Sequence, residues 1–197
     1  MDPCVWGPPL WRLLHGSAMA HPVKSRGHVL QCLSSMRAVL PCEKCRKSLT
    51  AILEGLSGLH FANVFEVTWM VHNYVNRKLN KPLLPLSRAR RLWTVASAPG
   101  DPLSLVDSLV IIDTNYAQCG SQNKRVAYRT FWNAVRRLCA LSPSMRPLGV
   151  AMGRAGGPAC GRANGARTAL LSAQRVPELT LSTRSAARRA RACRKQK

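Results

Sequence analysis

The chain has 197 residues, 8 of them cysteine, and a formal net charge of +22 at pH 7. Its apolar run at residues 103–112 has only about half of the ~20 residues that a bilayer-spanning helix needs, so we expect no membrane span. The N-terminus lacks the basic region that opens a signal peptide, and we therefore expect a cytoplasmic protein.

The first predicted helix carries Gly7, Trp11 and His15 on one ridge, because residues four apart share a face of a helix. Gly7 allows a ligand or backbone to approach closely, Trp11 offers an aromatic wall, and His15 offers a hydrogen bond one turn later. An ordinary amphipathic helix would explain the inward leucines of this segment. It explains the ridge less well.

A second motif is the pair Cys42 and Cys45, which follows Pro41. Proline ends the preceding helix and suits the first turn of a new one, so both thiols are expected in that turn, close enough to bridge. Helix amides and the nearby Lys44 and Arg46 favour the thiolate. Half of a zinc site would look the same, but structural zinc needs a second Cys/His pair, and the sequence has no second CxxC, CxxH or HxxxH. We therefore predict redox chemistry and no metal site.

Residues 63–79 predict a helix with Phe65, Trp69, His72 and Asn76 on one face, at spacings of four, three and four. A neighbouring stripe of valines is expected to bury against a bundle. A buried polar group without a partner costs about 1–3 kcal/mol. A single histidine here would best be interpreted as a satisfied core residue. One histidine and two asparagines within five residues, followed by basic residues, favour a polar and anionic ligand instead.

In order, these motifs read Gly-x3-Trp-x3-His, then Pro-Cys-x-x-Cys, then His-Asn-x-Val-Asn-x-x-Leu-x-Lys-Pro. Over about residues 4–95 the chain thereby resembles the Erv/Alr family of FAD-linked sulfhydryl oxidases. The last motif, His72 to Pro82, matches at every defined position. Leu86 stands where many members have a cysteine, which is similar to the compact forms of large DNA viruses. The aromatic residue usual at position 67 is a valine here, with Trp69 displaced by two.

The resemblance implies an all-α fold, a four-helix bundle with a short fifth helix that holds FAD non-covalently at one end. The helices are expected near 8–20, 26–39, 42–55, 63–79 and 87–96. Lys81 would lie near the phosphates and Trp93 would close the adenine side. The cofactor-binding residues that the resemblance implies are Gly7, Trp11, His15, His72, Asn73, Val75, Asn76, Lys81 and Trp93.

The activity implied by the resemblance is oxidation of protein dithiols to disulfides. Cys42 would exchange with the substrate and Cys45 would lie against the flavin, with molecular oxygen as the final acceptor and hydrogen peroxide as the product. The resemblance also implies a homodimer through helices one and two, and action in the host cytoplasm or in the virion if the source is viral. One alternative is a catalytically idle bundle that serves as a scaffold, and another is a basic nucleic-acid-binding protein with incidental thiols.

The second half of the chain is predicted to be an extension of the oxidase domain at 1–96. Residues 97–141 form an accessory segment with an amphipathic helix at 126–141, and residues 142–197 form a basic low-complexity tail that we expect to be disordered. The tail could contact nucleic acid nonspecifically through its arginines, although no nucleic-acid-binding fold motif accompanies it.

Overall fold

The computed structural model describes residues 2–58, 61–95, 101–116, 121–154, 165, 166, 168 and 169. Within these residues the regular secondary structure is entirely helical, which confirms the predicted all-α class. The helices are α1 (Pro3–Ala20), α2 (Pro22–Val39), α3 (Glu43–Gly55), α4 (Val64–Lys78), α5 (Leu86–Val95), α6 (Pro102–Tyr116), α7 (Gln122–Leu141) and α8 (Arg146–Arg154).

The first two helices begin earlier than expected because each opens on a proline. The Asp2 carboxylate caps α1 by accepting a hydrogen bond from the Cys4 amide at 2.9 Å, and Pro3 follows the cap. His21 separates the helices, and Pro22 opens α2. Proline suits the first position of a helix, since its missing amide hydrogen would have no partner there. The predicted starts at residues 8 and 26 are therefore five and four residues late.

Helices α1 to α4 form the predicted bundle. Neighbouring helices pack in the order α1, α2, α3, α4 and back to α1, and α5 packs across α1 and α4. Leucines of α1 and aliphatic residues of α2 and α4 are fully buried between them, namely Leu10, Leu13, Leu14, Val29, Leu33 and Val71. This arrangement confirms the predicted four-helix bundle with a short fifth helix.

Helices α6, α7 and α8 pack against the outer side of this bundle. Helix α7 lies along α2, α6 lies along α1, and α8 packs on α7. The helix predicted at 126–141 corresponds to α7, which begins at Gln122, where the Ser121 hydroxyl accepts the Lys124 amide. Inside the extension, the buried Tyr128 hydroxyl donates to the buried Asp113 carboxylate. The extension therefore covers α1 and α2 with a core of its own.

The expected disorder of residues 142–197 is wrong for the first part of this segment, which contains α8. Met145, Leu148 and Met152 recur at spacings of three and four and are buried against α7. Gly149 lies at the crossing, where an added Cβ would come within 3.2 Å of the Ala140 amide nitrogen. Glycine at position 149 lets α8 pack this closely on α7. The prediction for residues 155–164, 167 and 170–197 lies outside the described residues.

In the part of the chain that the structure describes, no helix combines the length and the apolar composition needed to cross a membrane.

Candidate functional site

A cavity of about 620 Å³ lies at one end of the bundle, and residues of all five helices α1 to α5 line it. Its size is typical of cofactor sites, which occupy roughly 300–1,000 Å³. Most of the residues predicted from the sequence to bind a cofactor line it, together with one thiol of the CxxC pair: Gly7, Trp11, Cys45, His72, Val75, Asn76, Lys81 and Trp93. His15, Asn73 and Cys42 do not line it.

The CxxC pair forms a disulfide at the start of α3. Cys42 is the capping residue, with extended backbone angles of −108° and 117°, and its sulfur accepts the Cys45 amide at 3.2 Å. Cys45, one turn later, lines the cavity. The local fold therefore gives the two sulfurs different surroundings, because the capping residue lies outside the helix while Cys45 faces the cavity.

Aromatic and imidazole rings form one wall of the cavity. The rings of Trp11 and His72 stack with their centroids 4.3 Å apart and an interplanar angle of 4°. Trp93 of α5 packs on the far side of the cluster, with its ring 4.9 Å from that of His15. Such parallel ring faces suit a flat, conjugated ligand.

Behind this wall, three side chains form a hydrogen-bonded chain. His15 Nδ1 lies 2.9 Å from the Thr68 hydroxyl, and His15 Nε2 lies 2.9 Å from His72 Nδ1. Burial, followed by the neighbouring His72, lowers the pKa of His15 to about 3. Burial, followed by the charge of Lys81, lowers the pKa of His72 to about 4. Both rings are therefore neutral at pH 7.

Asn73, predicted as a cofactor ligand, instead holds the segment that follows α4. Its side-chain amide donates to the Leu84 carbonyl at 2.8 Å and accepts the Leu84 amide at 3.0 Å. The Trp69 indole donates to the same carbonyl at 2.6 Å. Residues 81–85 are not helical, so their backbone groups need side-chain partners.

Lys81 reaches the cavity through the way in which α4 ends. Asn80 has a φ of +52°, in the left-handed region that asparagine tolerates better than most residues. The chain reverses there, and the Lys81 amide donates to the Asn76 carbonyl at 2.9 Å. The motif residues Asn76 and Lys81 are thereby placed side by side at the cavity.

The charged side chains at the cavity are basic. Arg12, Lys44, Lys78 and Lys81 line it, and no acidic residue of the described part does so. The sequence placed Lys81 in the cofactor site and counted Lys78 among the basic residues that favour an anionic ligand. Arg12 and Lys44 come from α1 and α3, whose approach to α4 the sequence does not show. The arrangement favours an anionic ligand.

Trp6 was not predicted as a site residue, although its side chain lines the cavity. Its indole N–H is buried and has no hydrogen-bond partner among the described residues. A buried donor of this kind is costly to leave unpaired.

Comparison with known proteins agrees with these features. The sequence model described as the Erv1 / Alr family matches residues 8–94. The 347L protein of Invertebrate iridescent virus 6, which carries the name FAD-linked sulfhydryl oxidase, is 30% identical over 106 residues, or 47% of this chain and 96% of that protein. The chain belongs to the Erv1/Alr family. The predicted resemblance is thus confirmed.

Two further relatives carry the same name at greater distance. The FAD-linked sulfhydryl oxidase of African swine fever virus (isolate Pig/Kenya/KEN-50/1950) is 29% identical over 45% of this chain and 79% of its own length. The ERV1 protein of Oryza sativa subsp. japonica is 27% identical over 52% of this chain and 56% of its own length. No solved structure matches the chain significantly. The family match ends at residue 94, so it covers α1 to α5 and none of α6 to α8.

Proposed function

We propose that this chain is an FAD-dependent sulfhydryl oxidase that converts protein dithiols to disulfides, with molecular oxygen as the final acceptor and hydrogen peroxide as the product. The observation that carries the proposal is the Cys42–Cys45 disulfide with Cys45 in the wall of a basic, aromatic-lined cavity. Family membership and the names of the viral and plant relatives support the same activity.

The residues at the cavity fit FAD in chemical type. The stacked Trp11 and His72 offer parallel ring faces, and the basic side chains suit a pyrophosphate. Bound there, FAD would supply a two-electron acceptor next to Cys45. The protein's own contribution is to bind and orient the ring systems and to deliver a thiolate.

The thiol chemistry follows from the different positions of the two sulfurs. A substrate thiolate attacks Cys42 Sγ, the Cys42–Cys45 bond breaks, and Cys45 leaves as a thiolate at the cavity wall. A second substrate thiol then attacks the mixed disulfide and releases Cys42. The substrate is oxidised to a disulfide, and the pair is reduced by two electrons.

Local charge favours a thiolate at Cys45. Lys44 lines the cavity beside Cys45, and both lie in the first turn of α3, whose unpaired amides carry partial positive charge. A thiolate formed at Cys45 is therefore better stabilised than one at a site without these groups.

Purified protein tests the proposal directly. We expect a flavin absorbance spectrum, its bleaching by a small dithiol once oxygen is exhausted, and peroxide accumulation while oxygen lasts. A protein that stays colourless after incubation with FAD would contradict the proposal that FAD is the cofactor. A flavin spectrum without oxygen consumption would instead support the idle-scaffold alternative. Action in the host cytoplasm or in the virion stays a prediction.

The surface of helices one and two, through which the homodimer is predicted, is partly covered. Helix α7 lies along α2 and α6 lies along α1. We propose that α6 and α7 take the place of a second subunit and that the chain is a monomer. Light scattering coupled to size exclusion tests this, and a mass of twice 21.7 kDa would contradict it.

A further inference from the structure

We propose that Thr68 is a positioning residue that, acting through His15, fixes the proton of His72 on Nδ1. His72 Nε2 is then a hydrogen-bond acceptor that the cavity offers to an N–H group of the bound cofactor. The effect on FAD rests on the proposed function, whereas the placement of the protons rests only on the hydrogen bonds described here.

The Thr68 hydroxyl is fully buried. It donates its single proton to the Phe65 carbonyl at 2.8 Å. Towards His15 Nδ1, which lies 2.9 Å away, the same oxygen can therefore act only as an acceptor. His15 must carry a proton on Nδ1.

The proton position on His15 determines the proton position on His72. His15 is only 2% exposed and neutral at pH 7, and a neutral imidazole has one proton. Its Nε2 is then an acceptor, and His72 Nδ1, 2.9 Å away, must be the donor. Since His72 is neutral as well, its Nε2 has no proton.

His72 is the member of this hydrogen-bonded chain that lies at the cavity. The His72 ring lines the cavity and is stacked on Trp11, so its orientation is fixed. Its Nε2 has no hydrogen-bond partner among the described residues. An acceptor at this position favours a ligand ring that carries an N–H and disfavours a carbonyl or phosphate oxygen. Loss of the Thr68 acceptor would free the histidine protons to redistribute, and this selectivity would weaken.

The test uses the full-length, FAD-loaded protein with ¹⁵N-labelled histidine. Long-range ¹H–¹⁵N NMR spectra distinguish Nδ1–H from Nε2–H rings, and His15→Gln and His72→Gln assign the two signals. We expect both rings to carry the proton on Nδ1 in the unaltered protein. Thr68→Val keeps the shape of the side chain but removes the acceptor, and we expect mixed protonation and about fivefold weaker FAD binding. Binding is followed by flavin fluorescence as the loaded protein is diluted.

Two further variants separate positioning from a general packing effect. Thr68→Ser retains the hydroxyl and should restore both the Nδ1–H signals and the affinity. Thr130→Val in α7 removes a hydroxyl that donates to the Val126 carbonyl, far from the cavity, and should change neither. An Nε2–H signal for His72 in the unaltered protein would refute the proposal even if Thr68→Val failed to fold. So would Thr68→Val with unchanged spectra and affinity, or Thr68→Ser without restoration. If the unaltered protein binds no FAD, the proposed function fails, but the proton positions can still be measured.

Discussion

Helices α1 to α5 and helices α6 to α8 both bury apolar side chains well, but they handle buried polar groups differently. In the extension, Asp113 and Tyr128 pair with each other inside the core. In the bundle, the chain from Thr68 through His15 ends at His72 on a cavity wall, and the Trp6 N–H has no described partner. Among the described residues, none that lines the cavity comes from α6 to α8. The difference indicates that chemistry belongs to the bundle and that the extension contributes packing.

The largest effect that tests this comparison is expected at the disulfide. Cys45→Ser should abolish dithiol-dependent oxygen consumption and retain flavin absorbance, because a hydroxyl cannot form the exchangeable bond while the cavity persists. The matched change in the extension is Cys139→Ala, at a buried free thiol whose pKa is raised by burial. It should leave turnover per folded molecule unchanged. Normal turnover in Cys45→Ser would refute the mechanism.

The next effect concerns stability, where the extension should matter. Phe131 of α7 is fully buried, and Phe131→Ala should lower the free energy of unfolding by about 3–5 kcal/mol. Denaturant unfolding followed by helical circular dichroism and by flavin release checks this. Since α7 packs along α2, both signals should shift together. A flavin transition that does not move would show that the bundle is stable without the extension.

A more gradual effect is expected from acid. The pKa values of His15 and His72 in the folded chain are about 3 and 4, below the ordinary 6.5, so the unfolded chain binds protons where the folded chain does not. The free energy of unfolding should therefore fall as the pH drops from 6.5, by about 1.4 kcal/mol per pH unit for each histidine. His72→Gln should reduce this slope between pH 6 and pH 4, as measured by denaturant titrations. An unchanged slope would show that the histidines are not neutral in the folded protein.

The sequence predicted the bundle and most of the cavity because the relevant residues form motifs with fixed spacing. Trp11, Cys45 and His72 each lie in such a motif, and a helix fixes which neighbours share a face. Asn73 could not be placed in this way. It is three residues before Asn76, yet it bonds to the Leu84 backbone, a partner that depends on how the chain returns after α4.

The role of Thr68 was also beyond the sequence, because a threonine inside an apolar helix most often bonds to its own backbone. Thr68 does so, and its hydroxyl also lies 2.9 Å from His15 Nδ1, which only the packing of α1 on α4 reveals. Helix α8 was missed for a compositional reason. Its glycines and arginines obscured the buried stripe of Met145, Leu148 and Met152.

The two side chains that bond to the Leu84 backbone bear on how long a ligand stays bound. Trp69 and Asn73 hold the backbone just before α5, and Arg90 of α5 forms an ion pair with Glu66 of α4 at 2.5 Å. Trp93 lies on the same short helix and lines the cavity. A ligand that leaves by displacing α5 from α4 must break these polar contacts, so we expect them to lengthen its residence time. The half-exposed ion pair among them weakens as ionic strength rises.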